Sequence, residues 1–292
     1  MNVNMRTSLL PFALGLATGI SAILFYNYRA NDCKRAYLVD QYRRAKEKRC
    51  RAERRSVRLL LIRHGKSESN KDRANLHNGR HIHVPLCAEG KKQARALGRR
   101  LARCRVRIDE AYSSEALRAQ QTAEIALKEM SSDTHITVVP TQGNPPMGLC
   151  EIAMGDWTGK DKREVNSPAI KRAREADAWE WKPPGLSQDE SLPGESYRDV
   201  EERFLRFLEN HILPKRKDES GIVTVAVFSH HAAIRCVLRP LLQASPRMLA
   251  GNLSPKNTSI TELIYDSTTS GRKGGWRLVR INDFSHLEAA EE

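Results

Sequence analysis

From Val57 onward the apolar positions alternate between two rhythms, short continuous runs and longer stretches at helical spacing. Residues 57–62 form a short apolar run with β-branched ends, which predicts a buried strand. Residues 88–101 repeat apolar side chains at Ala94, Leu97 and Leu101 and predict a helix. A strand is expected at 110–113, then a helix at 115–130 with Leu117, Ile125 and Leu127 turned inward. Residues 136–139 read as a strand and 196–212 as a helix. The β-branched run 222–229 predicts a second buried strand, followed by a helix at 232–242. Two strands, 259–265 and 276–281, close the pattern. Between the 136–139 strand and the 196–212 helix, residues 143–195 hold six of the thirteen prolines and three of the four tryptophans and are expected to be an irregular insertion. Strands separated by helices predict a three-layer α/β/α domain with a mainly parallel mixed sheet.

The N-terminus follows neither rhythm. Residues 9–26, LLPFALGLATGISAILFY, run 18 positions without a charge. At a rise of about 1.5 Å per residue, such a helix is just long enough to cross a bilayer. Tyr26, Tyr28 and Arg29 stand where interfacial anchors are expected. The chain therefore divides into a hydrophobic anchor at 1–28, a basic linker at 29–56 and an α/β domain at 57–288. The basic flank opposes translocation, so the α/β domain is expected on the cytosolic side of a single span. The short anchor with basic flanks resembles signal anchors of the mitochondrial outer membrane, and an endomembrane fits equally well.

Composition changes this picture only in detail. The net charge of +14 suggests nucleic acid at first sight, but residues 1–58 carry 13 Lys and Arg against four acids. That segment supplies +9, leaving +5 for the other 234 residues, so no specific nucleic-acid partner is expected. The six cysteines are scattered without a CxxC pair, which argues against zinc and a disulfide framework and for reduced thiols.

The chemistry lies at strand ends. The first strand runs into Arg63-His64-Gly65, and the 222–229 strand runs into His230-His231. A third strand end, Ser113-Ser114-Glu115, opens a helix that carries Arg118 in its first turn. In open α/β sheets ligands gather at the carboxyl ends of strands. Two arginines and two histidines converging there suit a dianionic phosphoryl group better than a metal, which would want carboxylate or cysteine partners at suitable spacing.

The ordered motifs resemble the histidine phosphatase superfamily, which includes phosphoglycerate mutase. LLIRHGKSESN is similar to the phosphohistidine signature, and NGRHIHVPLCAEGKKQARALGRRL to the segment preceding and forming the first helix. SSEALRAQQTAEIA resembles the motif of the second phosphate-binding arginine. Leu149-Cys150-Glu151 with Gly155-Asp156-Trp157-Thr158-Gly159 resembles the loop of the acidic donor. Pro193-Gly194-Glu195-Ser196, SHHAAIR and NDFSHL complete the set. The resemblance implies that His64 is the nucleophile, with Arg63, Arg118 and His230 holding the phosphoryl oxygens. It implies Glu151 as proton donor and Asn70 as a group that touches a phosphoryl oxygen or orients the site. No metal or organic cofactor is expected. His81, His83 and His231 are read as structural or pocket-rim groups, and Trp179-Glu180-Trp181 as packing.

Three positions depart from the family pattern: Lys66 replaces a common Glu, Ser69 a frequent Trp, and His231 a usual Gly. The insertion loops with which mutases clamp a phosphorylated sugar acid are not recognised in 143–195. The resulting expectation is a metal-independent phosphatase of the histidine acid type, acting on a phosphorylated small molecule or phosphoprotein. Mutase-type phosphoryl transfer and a membrane-tethered, inactive scaffold are the alternatives. A homodimer is compatible with all three.

Overall fold

The computed structural model describes residues 56–288, apart from 73–74, 142–145, 166, 187–192, 215–220, 247–251 and 268–274. The anchor at 9–26 and nearly all of the basic linker lie outside the described residues. Among the described residues no helix is long and apolar enough to cross a membrane.

The chain from Arg54 onward forms one compact unit. Its sheet has the strands β1 (Ser56–Arg63), β2 (Glu110–Ser114), β3 (Ile136–Val139), β4 (Val223–Ser229), β5 (Ile260–Asp266) and β6 (Gly275–Asp283). They lie in the order β3-β2-β4-β1-β5-β6. The pairs among the first four are parallel, and β5 and β6 add as antiparallel neighbours. The helices are α1 (Glu68–Asp72), α2 (Ala88–Arg103), α3 (Leu117–Glu129), α4 (Lys162–Val165), α5 (Pro168–Ala176), α6 (Tyr197–Phe207), α7 (His231–Leu241) and α8 (Ser285–Glu288).

Strand alternation builds two cores, one on each face of the sheet. Val57, Leu59 and Leu61 join Val223, Val225 and Val227 against α6 and α7. Leu60 and Ile62 join Ala226 and Phe228 against α2 and α3. Both faces of β1 and β4 are therefore covered, which explains their continuous apolar runs.

The structure corrects several expectations. Helix α3 starts at Leu117, and its inner face runs through Ala119, Ala123, Ala126 and Leu127. Leu127 is buried as expected, but Leu117 is 37% exposed and Ile125 only half-buried, because small alanines let α3 pack closely while these two side chains point elsewhere. The expected helix 196–212 is two pieces: α6, opened by a Ser196–Asp199 capping box, and a π-helical turn over Leu208–Ile212. The irregular insertion contains a 3-10 turn at Gly155–Trp157 as well as α4 and α5. Trp179 is buried, in keeping with a packing role.

Candidate active site

The sheet order brings the candidate residues together. Arg63 pairs with Ser229 and Ser113 with Phe228, so β2, β4 and β1 end side by side. His64 and His230 follow directly on adjacent parallel strands, and their ring centroids are 5.0 Å apart. Both rings are buried. Gly65 is needed for a close approach: a Cβ there would lie 2.7 Å from the Gly90 carbonyl oxygen of α2. Its N–H donates to Thr122 Oγ1 at 3.0 Å.

His64 Nδ1 lies 2.7 Å from the Gly65 carbonyl oxygen. A carbonyl can only accept, so Nδ1 carries the proton and Nε2 keeps its lone pair. Burial first, then the positive fields of Arg118 and Arg63, hold the His64 pKa well below its ordinary value. His230 is held low in the same way, by burial and then by Arg118. Both imidazoles are therefore neutral at physiological pH, and their protonation is postponed to more acid conditions. Histidine C2–H resonances from these two rings should keep their neutral positions as the pH falls from about 7.5 to about 6, below the usual histidine value of about 6.5. A midpoint near 6.5 for His64 would contradict the buried, cation-flanked site.

His230 Nε2 is 2.7 Å from Ser114 Oγ, and Ser114 Oγ also receives the Ala116 N–H at 3.4 Å. His230 Nδ1 is buried and, among the described residues, has no hydrogen-bond partner, and the same holds for Arg63 Nε. Arg63 Nη1 donates to the Pro255 carbonyl at 2.6 Å. Burial, assisted by Arg118 and opposed by Glu151, brings Arg63 down to about 10, so it remains a cation at neutral pH. Arg118 is buried near the start of α3 and donates to the carbonyls of His81 at 2.6 Å and Arg80 at 2.9 Å.

Glu151 arrives on the 148–153 loop. Its Oε1 accepts from Ile152 N–H and Ala232 N–H, each at 3.0 Å. Its Oε2 also faces the Ala232 N–H, at 3.2 Å. The carboxyl group thus sits at the N-terminus of α7, a helix that His230 itself opens as N-cap. His231, the first residue of α7, shares this mouth with Glu151, Arg63, Arg235 and Lys162. Burial and the three cations outweigh Glu151 and lower His231 to about 4. Asn70 is placed differently from the other candidates. Its Oδ1 accepts from Ser67 Oγ at 2.9 Å, so the side chain closes the turn into α1.

Sequence reasoning missed Ser114, Arg80, Glu195 and Arg203 as parts of the site. Arg203 did carry a signal, since it falls among Val200, Phe204 and Phe207 on the apolar face of α6. Among the described residues no group of three or more His, Cys, Asp or Glu could hold a metal ion.

The family model of the histidine phosphatase superfamily (branch 1) matches residues 59–283. A 2,3-bisphosphoglycerate-dependent phosphoglycerate mutase of Bradyrhizobium diazoefficiens is 31% identical over 216 residues, covering 73% of this chain and 95% of the relative. The fold is also that of a mycobacterial glucosyl-3-phosphoglycerate phosphatase, with a TM-score of 0.62 at 23% identity over 78% of this chain and 99% of the other. An α-ribazole-5'-P phosphatase from Escherichia coli aligns with a TM-score of 0.55 at 23% identity, covering 78% and 97%.

Proposed function

We propose that this chain, which belongs to the histidine phosphatase superfamily (branch 1), hydrolyses phosphate monoesters through a phosphohistidine on His64. The observation that carries the reading is the Nδ1 bond of His64 to its neighbour's carbonyl, which leaves Nε2 as a neutral nucleophile beside two arginines. In the first step the Nε2 lone pair attacks phosphorus in line, and the ester P–O bond breaks. Glu151 gives its proton to the departing alkoxide. Arg63, Arg118 and the Nδ1–H of His230 stabilise the charge that spreads over the equatorial oxygens. In the second step water attacks phosphorus, Glu151 takes a proton from it, and the P–N bond breaks to release inorganic phosphate and restore His64.

Phosphoglycerate mutase activity is the second reading, favoured by curated relatives such as the Bradyrhizobium enzyme. The two outcomes differ in what accepts the phosphoryl group. The mutase must hold its substrate while it turns over, whereas the hydrolase must admit water to the phosphohistidine. The full chain is expected to release inorganic phosphate from a panel of sugar phosphates, small acid phosphates and phosphopeptides. With 3-phosphoglycerate primed by 2,3-bisphosphoglycerate, it should form little 2-phosphoglycerate. Isomerisation faster than phosphate release would overturn the hydrolase reading in favour of the mutase.

A further inference from the structure

Beside the catalytic groups lies a buried ion cluster of Arg80, Glu195 and Arg203 that meets the phosphate clamp through one backbone bond, from Arg118 to the Arg80 carbonyl. Arg203, fully buried on α6, donates from Nη1 to the Gly148 carbonyl at 3.0 Å. From Nη2 it reaches the carbonyls of Cys150 at 2.8 Å and Glu151 at 3.1 Å. Its Nε bonds to Glu195 Oε1 at 2.9 Å. Glu195 Oε2 accepts the Ala153 N–H at 2.9 Å and pairs with Arg80 Nη2 at 2.9 Å. Arg80 Nε reaches the Glu151 carbonyl from a second side at 3.4 Å, and the Arg80 carbonyl accepts from Arg118.

This arrangement is poorly explained by stability alone. Two arginines and a carboxylate lose their hydration when buried, and well-packed apolar residues often serve a core as well or better. What an apolar side chain cannot do is grip three carbonyls of an irregular loop. The 148–153 loop forms no ladder and is held by single bonds, among them Gly148 N–H to the Arg203 carbonyl, Ser229 Oγ to the Leu149 carbonyl and Glu195 N–H to the Ala153 carbonyl, and the guanidinium of Arg203 satisfies three further carbonyls that a ladder would otherwise pair. The ion pairs also keep the cluster charged: burial pushes the Glu195 carboxyl up, but Arg203 and Arg80 outweigh that and bring it down to about 2.

We propose that Arg80, Glu195 and Arg203 are positioning residues for the proton donor, fixing the backbone at Glu151 relative to the phosphate-binding Arg118. The inference rests on Glu151 being that donor. Glu151 is then held at both ends, its carbonyl by Arg80 and Arg203 and its carboxylate by the Ala232 N–H of α7. Through the Arg80 carbonyl, the acid and the phosphate clamp form one connected unit. Loosening the cluster should therefore impair protonation of the leaving group more than attack at phosphorus.

The test compares esters with poor and good leaving groups, using the full chain. Arg203→Met is expected to lower kcat/KM on an alkyl phosphate about 100-fold, and on p-nitrophenyl phosphate less than about tenfold. Glu151→Gln, assayed alongside, should show the same split, and Arg203→Lys should recover part of the loss. Thermal unfolding establishes that each variant is folded. If Arg203→Met does not fold, Arg80→Met keeps the Arg203–Glu195 pair and carries the same readout. Equal losses on both esters in the arginine variants, with the split intact in Glu151→Gln, would overturn the positioning role alone. Equal losses in Glu151→Gln itself would remove the donor assignment, and the positioning role with it.

Discussion

His64→Ala is expected to lower kcat/KM on every phosphate monoester by at least about 10⁴-fold and to abolish acid-labile labelling of the chain by phosphorylated substrate. The size of the effect comes from the two-step path. Without an imidazole at the end of β1, no covalent intermediate forms, and water would have to attack the ester directly. The remaining arginines would still bind a dianion, so KM should change far less than kcat. Rapid quenching with labelled substrate, followed by alkaline gel separation, reads the phosphohistidine directly, because its P–N bond survives base and not acid. Labelling that persists in the variant would place the nucleophile elsewhere. The fold is expected to tolerate the change, since the backbone N–H of His64 keeps its 3.0 Å bond to the Ser229 carbonyl.

His230→Ala should cost about 10²- to 10³-fold in kcat, the loss typical of removing one donor aimed at developing charge. His230 faces the nucleophile at 5.0 Å between ring centres, buried and neutral, with Nδ1 unpaired. Its hydrogen bond should be stronger in the transition state than in the bound ester, since the phosphoryl oxygens accumulate charge there. Both formation and hydrolysis of the phosphohistidine pass through such a state, so both steps should slow. Single-turnover measurements separate them. A loss confined to KM would reduce His230 to ground-state binding and sink the assignment. Ser114→Ala provides an internal comparison, because it keeps the imidazole but removes the 2.7 Å hydroxyl partner of its Nε2. An intermediate loss is expected there, recovered in Ser114→Thr if the hydroxyl is what matters.

Much of the site was legible along the chain because the signals are local. A buried strand announces itself by continuous β-branched and aliphatic residues, and the positions just past its end lie at a sheet edge. Arg63, His64 and His230 could be read in that way, and Arg118 from its place in the first turn of the next helix. The element order of the domain could be read likewise, apart from the short helices α1, α4, α5 and α8, the 3-10 turn at Gly155–Trp157 and the π-helical turn. Those depend on packing that leaves no periodic pattern. Asn70 was carried by motif resemblance alone, and its bond to Ser67 gives it a local part in the turn before α1.

Local order in the chain was enough to establish which residue types stand at the strand ends, the apolar faces of β1 and β4, and the charge-free run at 9–26 that precedes the catalytic domain. Each of these depends on neighbours a few positions away. Tertiary packing was needed to set β2, β4 and β1 side by side, an order different from their order in the chain. It also assigned the proton of His64 to Nδ1 and joined Ser114 to His230 across 116 positions. The gathering of Arg80, Glu195 and Arg203 beneath Glu151 belongs to the same level. The physical reason is that hydrophobic periodicity records which side of an element is buried and not which element buries it. Which polar groups then share a pocket is set by long-range packing, and the chain records it only where a residue stands at a strand end or on an apolar helix face.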